Sequence, residues 1–281
     1  LSAWMTFKTP SNALTWPLIQ ASADERPREL MGECSDILAE LESWYAREST
    51  RHLHATVQEA LEPLLETAFG YHLLQIGHTR DQPLYGNSRI RHRAYLAPAH
   101  GAAVSLIAQH DELPIESDSV DVVIAHHSLD FTQRPHEVLR ELQRVLTPHG
   151  QLLLVGFNPL AAGCGVRRLR GLAGHPLWQA LSPVSARRLL DWLRLLGLET
   201  QLLRYLHPLP VAGQGRIARY AQQANEWSQK IPLPLGELYL VHAVKQVGGR
   251  VLPVRRSRPG PRLIGLTVPK PAAAPRGDHA A

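Results

Sequence analysis

Two near-continuous apolar runs, VDVVIA at 120–125 and QLLLV at 151–155, flank a single amphipathic segment. A strand with water on one face alternates polar and apolar residues, whereas a strand covered on both faces does not. The two runs therefore read as buried neighbours in a mainly parallel sheet. Parallel neighbours need a crossover, and residues 135–146 supply a helix for it. Pro135 suits the first helical turn, and Val138, Leu139, Leu142, Val145 and Leu146 fall on one stripe.

The alternation continues on both sides. HLLQI at 72–76 is a short apolar strand that stops at Gly77, and AVSLIA at 103–108 is a buried-type strand. Ser182-Pro183 reads as an N-cap and first-turn proline for a helix running to Leu196 and ending at Gly197. Residues 200–206 and 237–244 (ELYLVHAV) read as two further strands, with a helix expected near 216–227 between them. Upstream, Ile37, Leu38, Leu41, Trp44 and Tyr45, then Leu53, Val57, Leu61, Leu64 and Leu65, fall at helical spacing, with Gly70 placed as a helix C-cap. Strands alternating with helices make this an α/β fold with flanking helices.

Charge divides the chain differently. The net charge is +5, yet the last 33 residues carry seven Arg/Lys and one acid, Asp278. The basic character belongs to this Pro- and Arg-rich tail. Residues 1–35 are expected to be extended or disordered, 36–248 to form one domain with an N-terminal helical cover, and 249–281 to be a disordered tail. The tail could attract nucleic acid or an anionic surface, or serve only as a solubilising extension; it has no aromatic residue for base stacking. No apolar run approaches the roughly 20 residues of a membrane helix. The N-terminal residues lack a secretory pattern. Cys34 and Cys164 stand far apart with no metal-ligand spacing, which disfavours a disulfide framework or a zinc site. A cytoplasmic location is the expectation.

The run 111–159 contains Leu113-Pro114, the acidic turn Glu116-Ser117-Asp118, the strand with Asp121, the LREL…RVL helix, the turn Pro148-His149-Gly150 and the strand QLLLV, in that order. It resembles a class I S-adenosylmethionine-dependent methyltransferase of the type-11 group. SPVSARRLLDWLRLLGLET and GELYLVHAVKQ resemble that family's next helix and strands, so the resemblance covers about residues 70–247. It implies a Rossmann-like methyltransferase fold, S-adenosyl-L-methionine as cofactor and a small-molecule acceptor. It also implies cofactor contacts by Gln75 and Gly77 after the first strand. At the adenine end Gln109 and Asp111, with His110 and Glu112 beside them, take the corresponding place, and His126 does so after the fourth strand. His126, Ser128 or Asp130 could take a proton from the acceptor. Equally, the His126-His127 pair could be polar loop groups at a sheet end.

Some elements of that pattern are replaced. The first turn has Gly77 where the family has several glycines, and continues with His78, Thr79, Arg80, Asp81, Gln82 and Pro83. The family places a carboxylate for the ribose after the second strand, but the best candidate strand here ends Tyr95-Leu96-Ala97 with no acid. From Ala97 to Ala103 the chain is also too short for a crossover of roughly 10–12 residues. Either that strand lies elsewhere or this half of the sheet is remodelled.

Two readings of function follow: a methyltransferase acting on an unidentified acceptor, or a non-catalytic member of the fold that binds a partner. A nicotinamide-binding enzyme would need the same glycines and carboxylate. Among other groupings, Arg167, Arg168 and Arg170 in a Gly-containing insertion read either as a lid for an anionic substrate or as a solvated loop. Asn158-Pro159 reads as a turn. His52 and His54 on a helix point apart.

Overall fold

The computed structural model describes residues 28–47, 50–77, 83–206 and 236–246. The helix expected near 216–227, the tail 249–281 and the side chains of Cys34 and His52 lie outside the described residues. Two helices, α1 (Arg28–Ala46) and α2 (Arg51–Thr67), precede the sheet. Helix thus begins inside the stretch expected to be extended, because Arg28 opens a segment rich in Glu, Leu and Met.

Seven strands follow in the order β3-β2-β1-β4-β5-β7-β6. They are β1 (His72–Gly77), β2 (His92–Ala97), β3 (Leu106–Ile107), β4 (Val120–His126), β5 (Leu146–Phe157), β6 (Leu198–Leu206) and β7 (Leu238–Lys245). β1 through β5 pair in parallel, and β7 runs antiparallel between β5 and β6. Side chains on successive strand residues enter opposite layers. Leu74, Ile76, Val123, Leu152 and Leu154 pack with α3 (Pro135–Val145) and α6 (Ala186–Leu195). Leu73, Val122, Ile124, Leu153 and Val155 pack beneath α1 and α2. In α3 Val138, Leu139, Leu142 and Val145 are all buried, each contributing about 1.5–3 kcal/mol of apolar burial.

The motifs that carry the family resemblance are largely structural. Arg144 on α3 donates to the carbonyls of Leu113 and Ile115, and Glu141 accepts from Leu113 N, so the Leu113-Pro114 turn is clamped to the helix. Lys245 Nζ satisfies the carbonyls of Gln143 and Leu146 at the helix C-terminus and pairs with Asp118. Asp121 accepts from Tyr71 N and His72 N, which fixes where β1 begins. Gly70 is two residues beyond the Ala68 C-cap of α2, at φ +151°, and its close approach to Asp121 leaves no room for a side chain.

The structure corrects three local expectations. α6 is capped by Ser185, whose hydroxyl accepts from Arg188 N, rather than by Ser182. The expected strand at 103–108 shrinks to two residues, because only Leu106 and Ile107 find ladder partners on β2. The insertion at 161–170 is helical, forming α4 (Ala162–Leu172), followed by the short α5 (Pro176–Gln179).

The first half of the sheet is remodelled, and β2 stands where the sequence placed it. β2 and β3 are joined by residues 98–105 without a helix, a connection held by Ser105 N bonding to Tyr95 O. Residues 83–91 between β1 and β2 are also non-helical. They pack Leu84 and Ile90 on the α1–α2 side of the sheet.

Candidate active site

In an open α/β sheet the ligand crevice lies outside the strand carboxyl ends where the strand order reverses. Here that point falls between β1 and β4, with Gly77 beside His126 and His126 beside Val155. The backbones approach closely: a Cβ at Gly77 would lie 3.0 Å from His126 O and 3.3 Å from the Tyr95 hydroxyl. A side chain at Gly77 would therefore press on the crevice wall.

β4 ends in four fully or almost fully buried polar residues, His126, His127, Ser128 and Asp130. So many buried polar groups at one strand end are costly unless paired. His127 adopts φ +55°, a left-handed conformation uncommon for a side-chain-bearing residue and favoured at functional sites. This turn directs its Nδ1 to Asp130 Oδ2 at 2.7 Å, and the same carboxylate oxygen accepts from Phe157 N at the end of β5. With the carboxylate as acceptor, Nδ1 carries the proton and Nε2 presents its lone pair. That Nε2 meets the hydroxyl of Tyr45, delivered by α1, at 2.5 Å; the hydroxyl is also 3.4 Å from His126 Nε2. Burial, reinforced by the Asp130 charge, pushes the Tyr45 phenol far above its usual range, so it is a neutral donor to His127.

Two further groups close the crevice. The buried imidazole of His110, after β3, lies near the backbone of Ser128 and Gly77, at the β4 and β1 ends. Its desolvation lowers its pKa to about 4, so it is neutral at physiological pH. On the α1 side, Phe157 stacks on His127 with centroids 4.2 Å apart. Trp44, Trp178 and Phe157 surround the guanidinium of Arg167, which pairs with Glu237 at 2.5 Å.

The residues singled out from sequence divide accordingly. His126 and Asp130 meet at the crevice. Gln75 is buried, but its Oε1 accepts from Leu84 N and so anchors the remodelled loop. Gln109 and Asp111 follow β3 and are half-buried; Asp111 faces Arg134 across 3.9 Å. Arg167 is buried in its aromatic cage and is not a surface group for an anionic substrate, whereas Arg168 and Arg170 on the same helix are exposed. Asn158 is buried in a turn, donating to Gly236 O and accepting from Leu160 N. Among the described residues no cluster of His, Cys, Asp or Glu could hold a metal ion, and no helix is long and apolar enough to cross a membrane.

Tyr45 is not among the residues singled out from sequence, and His127 enters there only as half of the His126-His127 pair. Tyr45 was absorbed into the apolar stripe of its helix, and its partner lies 82 positions away. The one available signal was the His127-x-x-Asp130 spacing immediately beyond an apolar strand.

Strand order, the antiparallel β7 and a polar site at the β1–β4 crevice define a class I S-adenosylmethionine-dependent methyltransferase fold. The methyltransferase domain of the type-11 group matches residues 88–154, and the chain belongs to this family. Over 220 residues it is 32% identical to the uncharacterised protein YafS of Escherichia coli (strain K12), covering 75% of this chain and 85% of that protein. Among solved structures it resembles a SAM-dependent methyltransferase of Thermotoga maritima, a possible histamine N-methyltransferase. That match has a TM-score of 0.56 at 15% identity, over 76% of this chain and 99% of the other. A chain of the complex between the Haloferax volcanii Trm112 methyltransferase activator and a methyltransferase aligns with a TM-score of 0.53 at 14% identity, over 76% and 98%.

The crevice fits the family's cofactor in part. Ser128 Oγ and Asp130 Oδ1 are buried at the strand ends with no hydrogen-bond partner among the described residues, as a polar ligand would require. Gln109 and Asp111 lie after β3, and the stretch directly after β2, Pro98-Ala99-His100, carries no carboxylate.

Proposed function

We propose that this chain is an S-adenosyl-L-methionine-dependent methyltransferase whose acceptor binds at the carboxyl end of β4 beneath α1. The single observation that carries this reading is the buried chain Tyr45–His127–Asp130. The cofactor, when bound, supplies a methyl group on a positively charged sulfur. The protein's own work is then to position the acceptor, exclude water and remove a proton. Asp130 fixes the His127 ring and its tautomer, and His127 Nε2 receives the proton from the acceptor. Gly77 and Ser128 line the cofactor side, with Gln109 and Asp111 towards the adenine. Calorimetric titration of the purified protein with S-adenosylmethionine and S-adenosylhomocysteine tests the reading. Binding in the micromolar to sub-millimolar range is expected, and no binding at millimolar ligand rules it out.

A second reading, a non-catalytic member of the fold, draws support from His110, whose buried ring lies beside Gly77 and Ser128 at the crevice. Under that reading His110→Ala, which opens the crevice, leaves the titration silent. Under the enzymatic reading that variant binds at least as tightly as the natural chain.

A further inference from the structure

The place of Tyr45 says what kind of acceptor the crevice takes. A buried tyrosine kept for packing alone would be expected to direct its hydroxyl to a backbone group or to water. This hydroxyl instead meets Nε2 of His127, the one atom a histidine oriented by a carboxylate offers as a base. The ring occupies a slot walled by flat side chains: Trp44 edge-on at 4.9 Å, His126 and His127 tilted at 5.8 Å, and His54 at 6.2 Å. The slot is walled by the sheet's carboxyl edge, by α2 and by Trp44 of α1 itself. Tyr45 reaches it from α1, which is also tied to α5 by Glu40, whose carboxylate accepts from Leu177 N.

We infer that Tyr45 stands in the acceptor's place, and that the site binds a planar aromatic ring bearing a hydroxyl, which displaces Tyr45 when it enters. The inference rests on the proposed function for its biological meaning, but its test does not involve the cofactor. p-Cresol, which reproduces the tyrosine side chain, is the probe. Full-length Tyr45→Ala should gain about 2–4 °C in Tm at saturating p-cresol. Toluene, which lacks the hydroxyl, and cyclohexanol, which lacks the planar ring, should leave Tm unchanged. Adding His127→Gln should weaken p-cresol binding about tenfold. Equal stabilisation by toluene, or p-cresol affinity unaffected by His127→Gln, overturns the inference. Should Tyr45→Ala fail to fold, the natural chain decides. Millimolar p-cresol should speed hydrogen exchange of the backbone amides of residues 36–46, and unchanged exchange overturns the inference. Failure of S-adenosylmethionine to bind would remove the proposed function and leave these outcomes readable on their own.

Discussion

The hydroxyl of Tyr45 lies 2.5 Å from Nε2 of His127, joining α1 to the carboxyl end of β4 across 82 positions of sequence. The same His127 is held from its other nitrogen by Asp130, whose carboxylate is in turn fixed by Phe157 N on β5. One carboxylate therefore orients the proposed base and ties two neighbouring strand ends together. These two roles can be separated by substitution.

Asp130→Ala removes the acceptor for two buried donors, and the loss should cost about 2–4 kcal/mol of stability. Asp130→Asn retains an acceptor oxygen and should cost about 1 kcal/mol. It nevertheless replaces the anion that stabilises a protonated His127, so methyl transfer should fall by about a hundredfold or more. Urea denaturation measures the first effect, and single-turnover methyl transfer the second. Equal stability losses for Ala and Asn would show that Asp130 does not hold those donors.

Acid should act first at His110. Burial lowers its pKa from 6.5 to about 4, so the folded state disfavours its protonation and the unfolded state takes up the proton more readily. The stability this residue contributes is complete above about pH 6.5 and is lost as pH falls towards 4. Between pH 7.5 and pH 5 the loss is about 2 kcal/mol. The neutral His110→Gln should flatten that part of the stability curve, while carboxylates titrating at lower pH act on both proteins alike. Parallel pH profiles by urea denaturation would exclude His110 as the acid-sensitive group.

The sheet was legible where the sequence carried period and punctuation together. β4, α3 and the core of β5 read correctly because two doubly covered strands flank one apolar stripe opened by Pro135, although β5 starts at Leu146 and takes in the expected turn 148–150. Arg144, Glu141 and Lys245 also show why the resemblance was clearest there, since those motif residues clamp turns and helix ends that any member of the fold must build. The region between β1 and β3 resisted reading because residues 83–91 and 98–105 connect strands without helical periodicity. Gln75 looked like a cofactor contact, yet its bond to Leu84 N fastens that replacement loop. Of the site, His126 and Asp130 were visible as polar residues after an apolar strand. Tyr45 was hidden because a tyrosine in an apolar helical stripe has the same pattern whether it fills a core or caps a catalytic base.

Gly70 offers a sharp test of the β1 entry. Its φ of +151° disfavours any side chain, and an added Cβ would lie 2.3 Å from Asp121 Cβ. Gly70→Ala must therefore displace the carboxylate that holds Tyr71 N and His72 N. A loss of about 2–4 kcal/mol is expected, with faster hydrogen exchange at His72 and Leu73. Asp121→Asn, which keeps the space and one acceptor, should cost about 1 kcal/mol. A neutral Gly70→Ala in urea denaturation would contradict the close approach.

Arg167 should behave as a structural joint. Its guanidinium lies 4.8 Å from the Phe157 ring centroid and 5.7 Å from those of Trp44 and Trp178, while Nη2 bonds to Glu237. Glu237 also accepts from Gly163 N near the start of α4, so one ion pair links α4, the β7 entry and the aromatic cover over His127. A lysine keeps the charge but loses the planar stacking surface and the forked donors. Arg167→Lys should therefore cost about 1–2 kcal/mol. In a double-mutant cycle with Glu237→Gln, the coupling should be about 1 kcal/mol or more, because both partners are largely withdrawn from water. Coupling near zero would mean that the aromatic faces alone hold Arg167. It would also leave Glu237 able to serve α4 through Gly163 alone.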